Sequence, residues 1–325
     1  VEPLKQHGVD LNVKSLYPEW LYNLRKRGGR KWWLDAVTLI IAFSRQISYS
    51  IVALNADIIL ILKNAAPFSL TPLLKFFRRM GKRVVFDFDD AIYLKTSIVE
   101  KYVRLADIVI AGNKMLAEWA REKGAKPRVI PTVIDLNKYL PRVSYELTAN
   151  RLRIGWIGSP STEPFLKIIK PVLLKLNVTY PIEFCVIGGK PPDMAEVPLK
   201  VIEWSEETEA EEISKFDIGV APLLDNEYTR GKCGLKVLQY MAAGIPVVAS
   251  PVGVHLDIIE HGNNGFLAGT DSEWLKYLTL LAGDSELRKN IGQQGRKTVE
   301  EKFSLNHMAE QVSVLFKSLH SNLSM

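Results

Sequence analysis

The sequence predicts an α/β protein made of two doubly wound domains, each a parallel sheet covered by helices on both faces. Three observations carry that prediction. Short apolar runs alternate with amphipathic helical periods along most of the chain, as strand–helix–strand units do. With 325 residues, 47% of them apolar, the chain is long enough for two cores. The pattern also restarts after Thr132 to Asn150, a stretch without period that holds Pro141. The expected domains are 1–140 and 151–303, joined by a linker at 141–150 and followed by a C-terminal helix, 304–325.

In order, VEPLKQHGVDLNV reads as the end of a helix, a Gly8 stop and a short strand, Leu11–Leu16. An opening strand and loop are expected upstream of Val1. Pro18 to Trp33 is basic and aromatic, with Arg25, Lys26, Arg27, Arg30 and Lys31 beside Trp32 and Trp33. Such a segment suits a bilayer interface, or a surface loop whose tryptophans fold inward. Ala36 to Leu54 reads as a largely buried helix. Strands are expected at Asp57–Leu62, Arg83–Phe88, Asp107–Ala111 and Arg128–Pro131. Helices are expected at Leu70–Met80, within Ser97–Leu105, and at Lys114–Lys123, where Asn113 is a suitable N-cap. The second half repeats the theme, with strands at Leu152–Ile157, Ile182–Ile187, Val201–Trp204, Ile218–Pro222 and Phe266–Ala268. Helices are expected after Thr162 to about Leu176 and at Glu207–Lys215, Ser272–Ala282, Ser285–Glu301 and Leu305–Leu319.

Composition narrows the function classes. Charged residues make up 24% of the chain, an ordinary globular value. Cys185 and Cys233 are too few for a disulfide framework or a cysteine-rich zinc site, so a reducing, cytoplasmic setting is expected. Asp35, Arg45, Asn55 and Asp57 interrupt the longest apolar region, Leu34 to Leu62, and no transmembrane helix is read there. Charge is uneven. Residues 1–150 hold 24 Lys and Arg against 14 Asp and Glu, a net +10, and the remainder nets −4. A basic first half suits an anionic membrane surface or substrate as well as a solvated basic face. Nucleic acid fits poorly, because no basic recognition helix is present.

The most informative stretch is TRGKCGLKVLQYMAAGIPVVAS, from Thr229 to Ser250. Leu235, Leu238 and Ala242 make one apolar helical face. Gly244 is placed to stop the helix, Pro246 follows it, and Val247 and Val248 read as a buried strand. Arg230 and Lys232 lie in a glycine-bracketed loop before the helix, and Lys236 and Gln239 share another helical face. A helix N-terminus with free amides and three nearby cations suits phosphate. Gly158, Ser159, Ser161 and Thr162 follow the first strand of the second half, where open α/β sheets bind ligands; Ser161 and Thr162 equally suit N-capping. Asp87 and Asp89 point to one side of their strand and Phe86 and Phe88 to the other, with Asp90 next. His255 reads as a surface or turn residue.

Two of these stretches resemble glycosyltransferase family 4. ADIVIAGNKMLAEWAREKGAKPRVIPTVID resembles its strand, Asn-capped helix and VIPNGVD-like turn, with Thr132 in place of the asparagine. GLKVLQYMAAGIPVVASPVGVHLDIIEHGNNGFLA is similar to its second-domain donor site. The resemblance covers most of the chain from Arg83 onward. It implies a GT-B fold: two Rossmann-like domains with parallel sheets facing across a cleft, and C-terminal helices packing back toward the first domain. It also implies retaining transfer of a sugar from a nucleotide-sugar donor. Donor-binding residues on this reading are Gly158, Ser159, Arg230, Lys232, Gly234, Leu235, Lys236, Gln239 and Asp257. Lys236 would touch the diphosphate, and Asp257 falls where relatives carry a Glu near the donor sugar.

The departures bear on activity. The E-x7-E pair of the family falls on Gly231 and Gln239, so the ribose side lacks its usual carboxylate. Asp89 and Asp90 are the catalytic candidates, placed to orient an acceptor hydroxyl or stabilise an oxocarbenium-like centre. No metal site is expected and no cofactor is required beyond the nucleotide-sugar co-substrate; Mg²⁺ at the acidic cluster ranks lower. The expected partners are that donor and a glycan or lipid-linked acceptor, with peripheral contact at an anionic membrane and a location in the cytoplasm or at the inner membrane face. Rival readings are a decayed GT-B binding or scaffold protein and a nucleotide-sugar epimerase.

Overall fold

The computed structural model describes residues 1–21, 24, 32–63, 69–147, 151–189, 194 and 196–321. Its contacts divide into two units, Val1–Ile130 with Ala309–Met325, and Pro131–Met308. Both are parallel α/β sheets. In the first unit, β1 (Ile58–Leu62), β2 (Arg83–Phe88), β3 (Ile108–Ala111) and β4 (Pro127–Val129) lie in the order β1-β2-β3-β4. β1, β2 and β3 are short runs rich in β-branched, leucine or aromatic residues, as a covered sheet requires, whereas β4 (Pro-Arg-Val) is a largely exposed edge strand. Phe86 and Phe88 are fully buried on one side of β2, which leaves the aspartates to the other. The helix Lys114–Glu122 starts as its sequence predicts, with Asn113 Oδ1 accepting from Leu116 N at 2.9 Å. The C-terminal helix, Leu305–Ser321, joins this unit from Ala309 onward, and Phe316 and Leu319 share a buried cluster with Val85 and Ile110.

The second unit holds β5 (Leu152–Ile157), β6 (Ile182–Ile187), β7 (Leu199–Ile202), β8 (Ile218–Ala221), β9 (Val247–Ala249) and β10 (Phe266–Leu267). Their order is β10-β9-β8-β5-β6-β7, all pairs parallel. The central strands are buried almost throughout, including Ile154, Phe184, Ile218, Val220 and Val248. The helix Leu235–Ala242 lies close over β8 because Gly219 leaves room for the Tyr240 ring. Tyr240 ties the helix to the sheet, accepting from Ile157 N and donating to Val220 O.

Several expectations are corrected. Leu11–Leu16 is not a strand; Ser15 O accepts from Arg45 and Tyr49 side chains instead of a neighbouring strand. The helix expected to be largely buried runs Trp32–Ala53 with most of its large apolar side chains in solvent. It is also long and apolar enough to cross a membrane by length and composition. The expected linker is part of the second unit. Arg142 Nη2 lies 2.6 Å from the buried Asp217 carboxylate, and Tyr145 OH donates to Gly244 O at 2.8 Å. Residues 148–150 lie outside the described residues, as do 22, 23 and 25–31 of the basic, aromatic segment. Trp20 and Trp33, which bracket that segment, are 57% and 43% exposed and do not fold inward.

Candidate functional site

The helix Leu235–Ala242 begins at Gly234, whose φ of +75° is a left-handed turn that a side chain resists. No side chain caps its first amides. Gly253 presses the next turn against the same loop. A Cβ there would lie 2.8 Å from Arg230 O and 2.9 Å from Arg230 Cα, with φ at +56°. The obstructing atoms are backbone and cannot rotate away. Gly253→Ala is therefore expected to cost about 1–3 kcal/mol through strain and loop displacement, read as a lower thermal midpoint by circular dichroism.

Lys236 is the centre of this loop. Its stem is partly exposed, but Nζ is buried, has no hydrogen-bond partner among the described residues and sits 4.6 Å from the Trp156 ring centroid. Burial, reinforced by the charge of Lys232, lowers its pKa to about 7. Trp156, at the end of β5, is fully buried, and its Nε1 also has no hydrogen-bond partner there. Two buried donors without acceptors are thus set close together beside an uncapped helix N-terminus. A donor in that state costs stability unless a ligand supplies an acceptor.

The other expected cations are arranged differently. Arg230 is exposed and forks onto Asp225, with Nε 2.6 Å from Oδ1 and Nη2 2.9 Å from Oδ2. Lys232 Nζ lies 4.5 Å from the Tyr228 ring centroid and 3.4 Å from its hydroxyl. Leu235 is half exposed, not on the buried face with Leu238 and Ala242, because it opens the helix above the loop. Gly158 continues β5, and Ser159 Oγ lies 2.8 Å from Ser161 Oγ at the surface. Thr162 bonds back to Ser159 O and makes no side-chain cap. Asp257 is exposed on the short helix His255–Ile258. His255, read from sequence as a surface or turn residue, is buried: Nδ1 lies 2.9 Å from Ser250 O, and burial lowers its pKa to about 4 despite that bond.

Gln239 is buried in a network that sequence reasoning missed. Its Nε2 donates to Tyr139 OH at 2.8 Å and to Glu209 Oε1 at 3.3 Å. Tyr139 OH donates to the same Oε1 at 2.9 Å, and Trp204 Nε1 donates to Oε2 at 2.7 Å. A carboxylate therefore stands beside position 239, brought from the start of the helix Glu209–Ser214.

In the first unit, Asp87, Asp89 and Asp90 gather at the C-terminal end of β2, the edge where parallel sheets bind ligands. Lys63, after β1, adopts a left-handed φ of 55° and places Nζ 2.6 Å from Asp89 Oδ1. Burial works against that lysine's charge, but the bond to Asp89 and the fields of Asp89, Asp90 and Asp87 outweigh it and raise its pKa. Burial and the neighbouring Asp89 lift the Asp87 pKa to about 6 against the pull of Lys63. Among the described residues no group of three His, Cys, Asp or Glu side chains is arranged to hold a metal ion.

Residues 152–284, all within the second unit, match the family model for glycosyl transferases group 1. N-acetyl-alpha-D-glucosaminyl L-malate synthase of Bacillus anthracis is 31% identical over 85 residues, 26% of this chain. GDP-Man:Man(3)GlcNAc(2)-PP-Dol alpha-1,2-mannosyltransferase of Dictyostelium discoideum is 21% identical over 205 residues, 63% of this chain. The matches span only 22% and 36% of those relatives' own lengths. Sucrose-phosphate synthase from Thermosynechococcus elongatus superposes with a TM-score of 0.67 at 16% identity, covering 88% of this chain and 79% of the other. HepE of Anabaena, solved in complex with UDP-glucose, gives 0.65 at 17%, covering 98% and 88%. The fold is GT-B.

Proposed function

We propose that this chain is a retaining glycosyltransferase that moves a sugar from a nucleotide-sugar donor to a glycan or lipid-linked acceptor. The observation that carries the reading is Lys236, a buried ammonium group that has no hydrogen-bond partner among the described residues, beside a helix N-terminus that none of their side chains caps. A leaving nucleoside diphosphate gains negative charge as the glycosidic bond breaks, and fixed donors in a dry site stabilise that charge without reorganising. Arg230 and Lys232 add positive potential at the loop, with Arg230 exchanging Asp225 for phosphate. Gly234 and Leu235 offer backbone amides, and Gly158 and Ser159 line the phosphate side. Asp257 serves the donor sugar. Glu209, through Gln239, supplies the ribose side with a carboxylate.

Asp89 and Asp90 are the proposed catalytic carboxylates, orienting the acceptor hydroxyl. The group 1 match and the nucleotide-sugar complex of HepE support the reaction class. Charge stabilisation by Lys236 and amides needs no metal, so turnover is expected to survive chelation by EDTA.

The test is turnover of a panel of nucleotide sugars, with and without acceptors. Asp89→Asn is expected to lower kcat at least tenfold while leaving UDP affinity unchanged. Tight nucleotide binding without turnover of any donor would sink the reading and favour a binding protein.

A further inference from the structure

The helix Trp32–Ala53 buries a narrow side and leaves most of its large apolar side chains exposed. Its inward side is held by Leu34, Thr38 and Ala42, all buried, with Ala42 in a cluster with Leu16. Arg45 also turns inward, donating to Ser15 O from Nε at 3.2 Å and Nη2 at 3.0 Å, and Tyr49 OH reaches the same oxygen at 3.0 Å. Those bonds fix the rotation of the helix. The outward row is then Trp33, Ile40, Phe43, Ile47 and Ile51, between 43% and 69% exposed. Successive members of the row fall on one helical stripe, about 27 Å long at 1.5 Å per residue.

We propose that this stripe is a membrane-docking surface that lies in the plane of an anionic bilayer. The charge of the chain selects this occupant over a second copy or a protein partner. Five cations, Arg25, Lys26, Arg27, Arg30 and Lys31, precede the helix in sequence, and no acidic residue occurs between Glu19 and Asp35. Exposed Trp20 and Trp33 flank that cationic run, and tryptophan favours the headgroup level. An apolar helical stripe preceded in sequence by a cationic run is the pattern of segments that lie in the headgroup region of anionic membranes. The helix does not cross the bilayer, because its other side is covered by the chain and carries Arg45. The surface is independent of the proposed reaction, and its test needs no turnover.

The experiment is co-sedimentation of the chain with vesicles of equimolar phosphatidylcholine and phosphatidylglycerol, compared with phosphatidylcholine alone. Binding is expected to the anionic vesicles, weakening in high salt. The combined variant Ile40→Ser, Phe43→Ser, Ile47→Ser is expected to lose about 100-fold in partitioning, with its far-UV circular dichroism unchanged because all three positions are exposed. A second readout protects the test against misfolding of that variant: vesicle lipids brominated in their acyl chains are expected to quench wild-type tryptophan emission. A wild-type chain that stays in the supernatant with both vesicle types, or shows no quenching, overturns the proposal. So does a dimer in solution that the same serine substitutions dissociate while vesicle binding is absent, since a second copy would then cover the stripe.

Discussion

Lys236→Met is expected to weaken binding of UDP by about 100-fold, the loss of one charge-assisted contact of some 2.7 kcal/mol. Methionine keeps the apolar stem over Trp156 and removes the ammonium group, so the loss reports charge rather than packing. The same substitution is expected to stabilise the unliganded protein, because it removes a buried cation with no hydrogen-bond partner among the described residues. A purely structural lysine would not combine those two effects.

The pH dependence sharpens the test. The folded pKa of Lys236 is about 7, against 10.5 for the ordinary side chain. Below pH 7 the group is protonated in both folded and unfolded states, and its burial penalty is paid in full. Between pH 7 and 10.5 the folded state has released a proton that the unfolded state keeps, so stability rises with pH through that window. Wild type should gain on Lys236→Met across it in urea unfolding. Binding a diphosphate, already ionised there, restores the proton, so UDP affinity should fall by up to about tenfold per pH unit above 7 in wild type and stay flat in the variant. Calorimetry in buffers of different ionisation enthalpy reads the proton uptake directly. Equal UDP affinity in the two proteins at pH 7 contradicts the assignment of Lys236 to phosphate.

The elements of this fold were legible where sequence carries a local cause. The buried strands announced themselves as apolar runs, Asn113 as a cap, and Gly244 as a left-handed helix stop, with φ at +71°. Lys236 was legible because a glycine-flanked helix start with cations is a local pattern. Trp156 was not, since its place beneath Lys236 depends on how the helix Leu235–Ala242 lies over strands some 80 residues earlier in the chain. Glu209 and Tyr139 escaped for the same reason, lying 30 and 100 residues from Gln239. The helix Trp32–Ala53 failed differently. Its apolar composition reads as a largely buried helix, yet most of its large apolar side chains are exposed. The burial of Leu34, Thr38 and Ala42 and the bonds of Arg45 and Tyr49 to Ser15 O show which side faces inward.

Placing a carboxylate at position 239, where the resemblance to glycosyltransferase family 4 implies one, is expected to harm this protein. Gln239 Nε2 donates to Glu209 Oε1 at 3.3 Å and to Tyr139 OH at 2.8 Å. Gln239→Glu replaces that donor with a second carboxylate, leaving the single Tyr139 proton to serve two acceptors. Like charges at that separation raise the pKa of the pair, and the folded state loses about 2–3 kcal/mol at pH 7. The sign with pH follows from the raised folded pKa. The deficit is absent below the unfolded carboxylate pKa, where both states are protonated, and grows as pH rises toward the folded value. Adding Glu209→Gln to Gln239→Glu exchanges donor and acceptor, and should recover most of the loss in a double-mutant cycle. Ligand binding then separates structure from function. If Glu209 serves the ribose, Glu209→Gln weakens UDP binding about tenfold but leaves the affinity for a 2′,3′-dideoxy analogue unchanged. In the exchanged variant the carboxylate returns on position 239 and UDP affinity with it. A Gln239→Glu protein as stable as wild type at pH 7 would overturn the charge-repulsion argument, and a Glu209→Gln protein that binds UDP as tightly as wild type would remove Glu209 from the ribose side of the site.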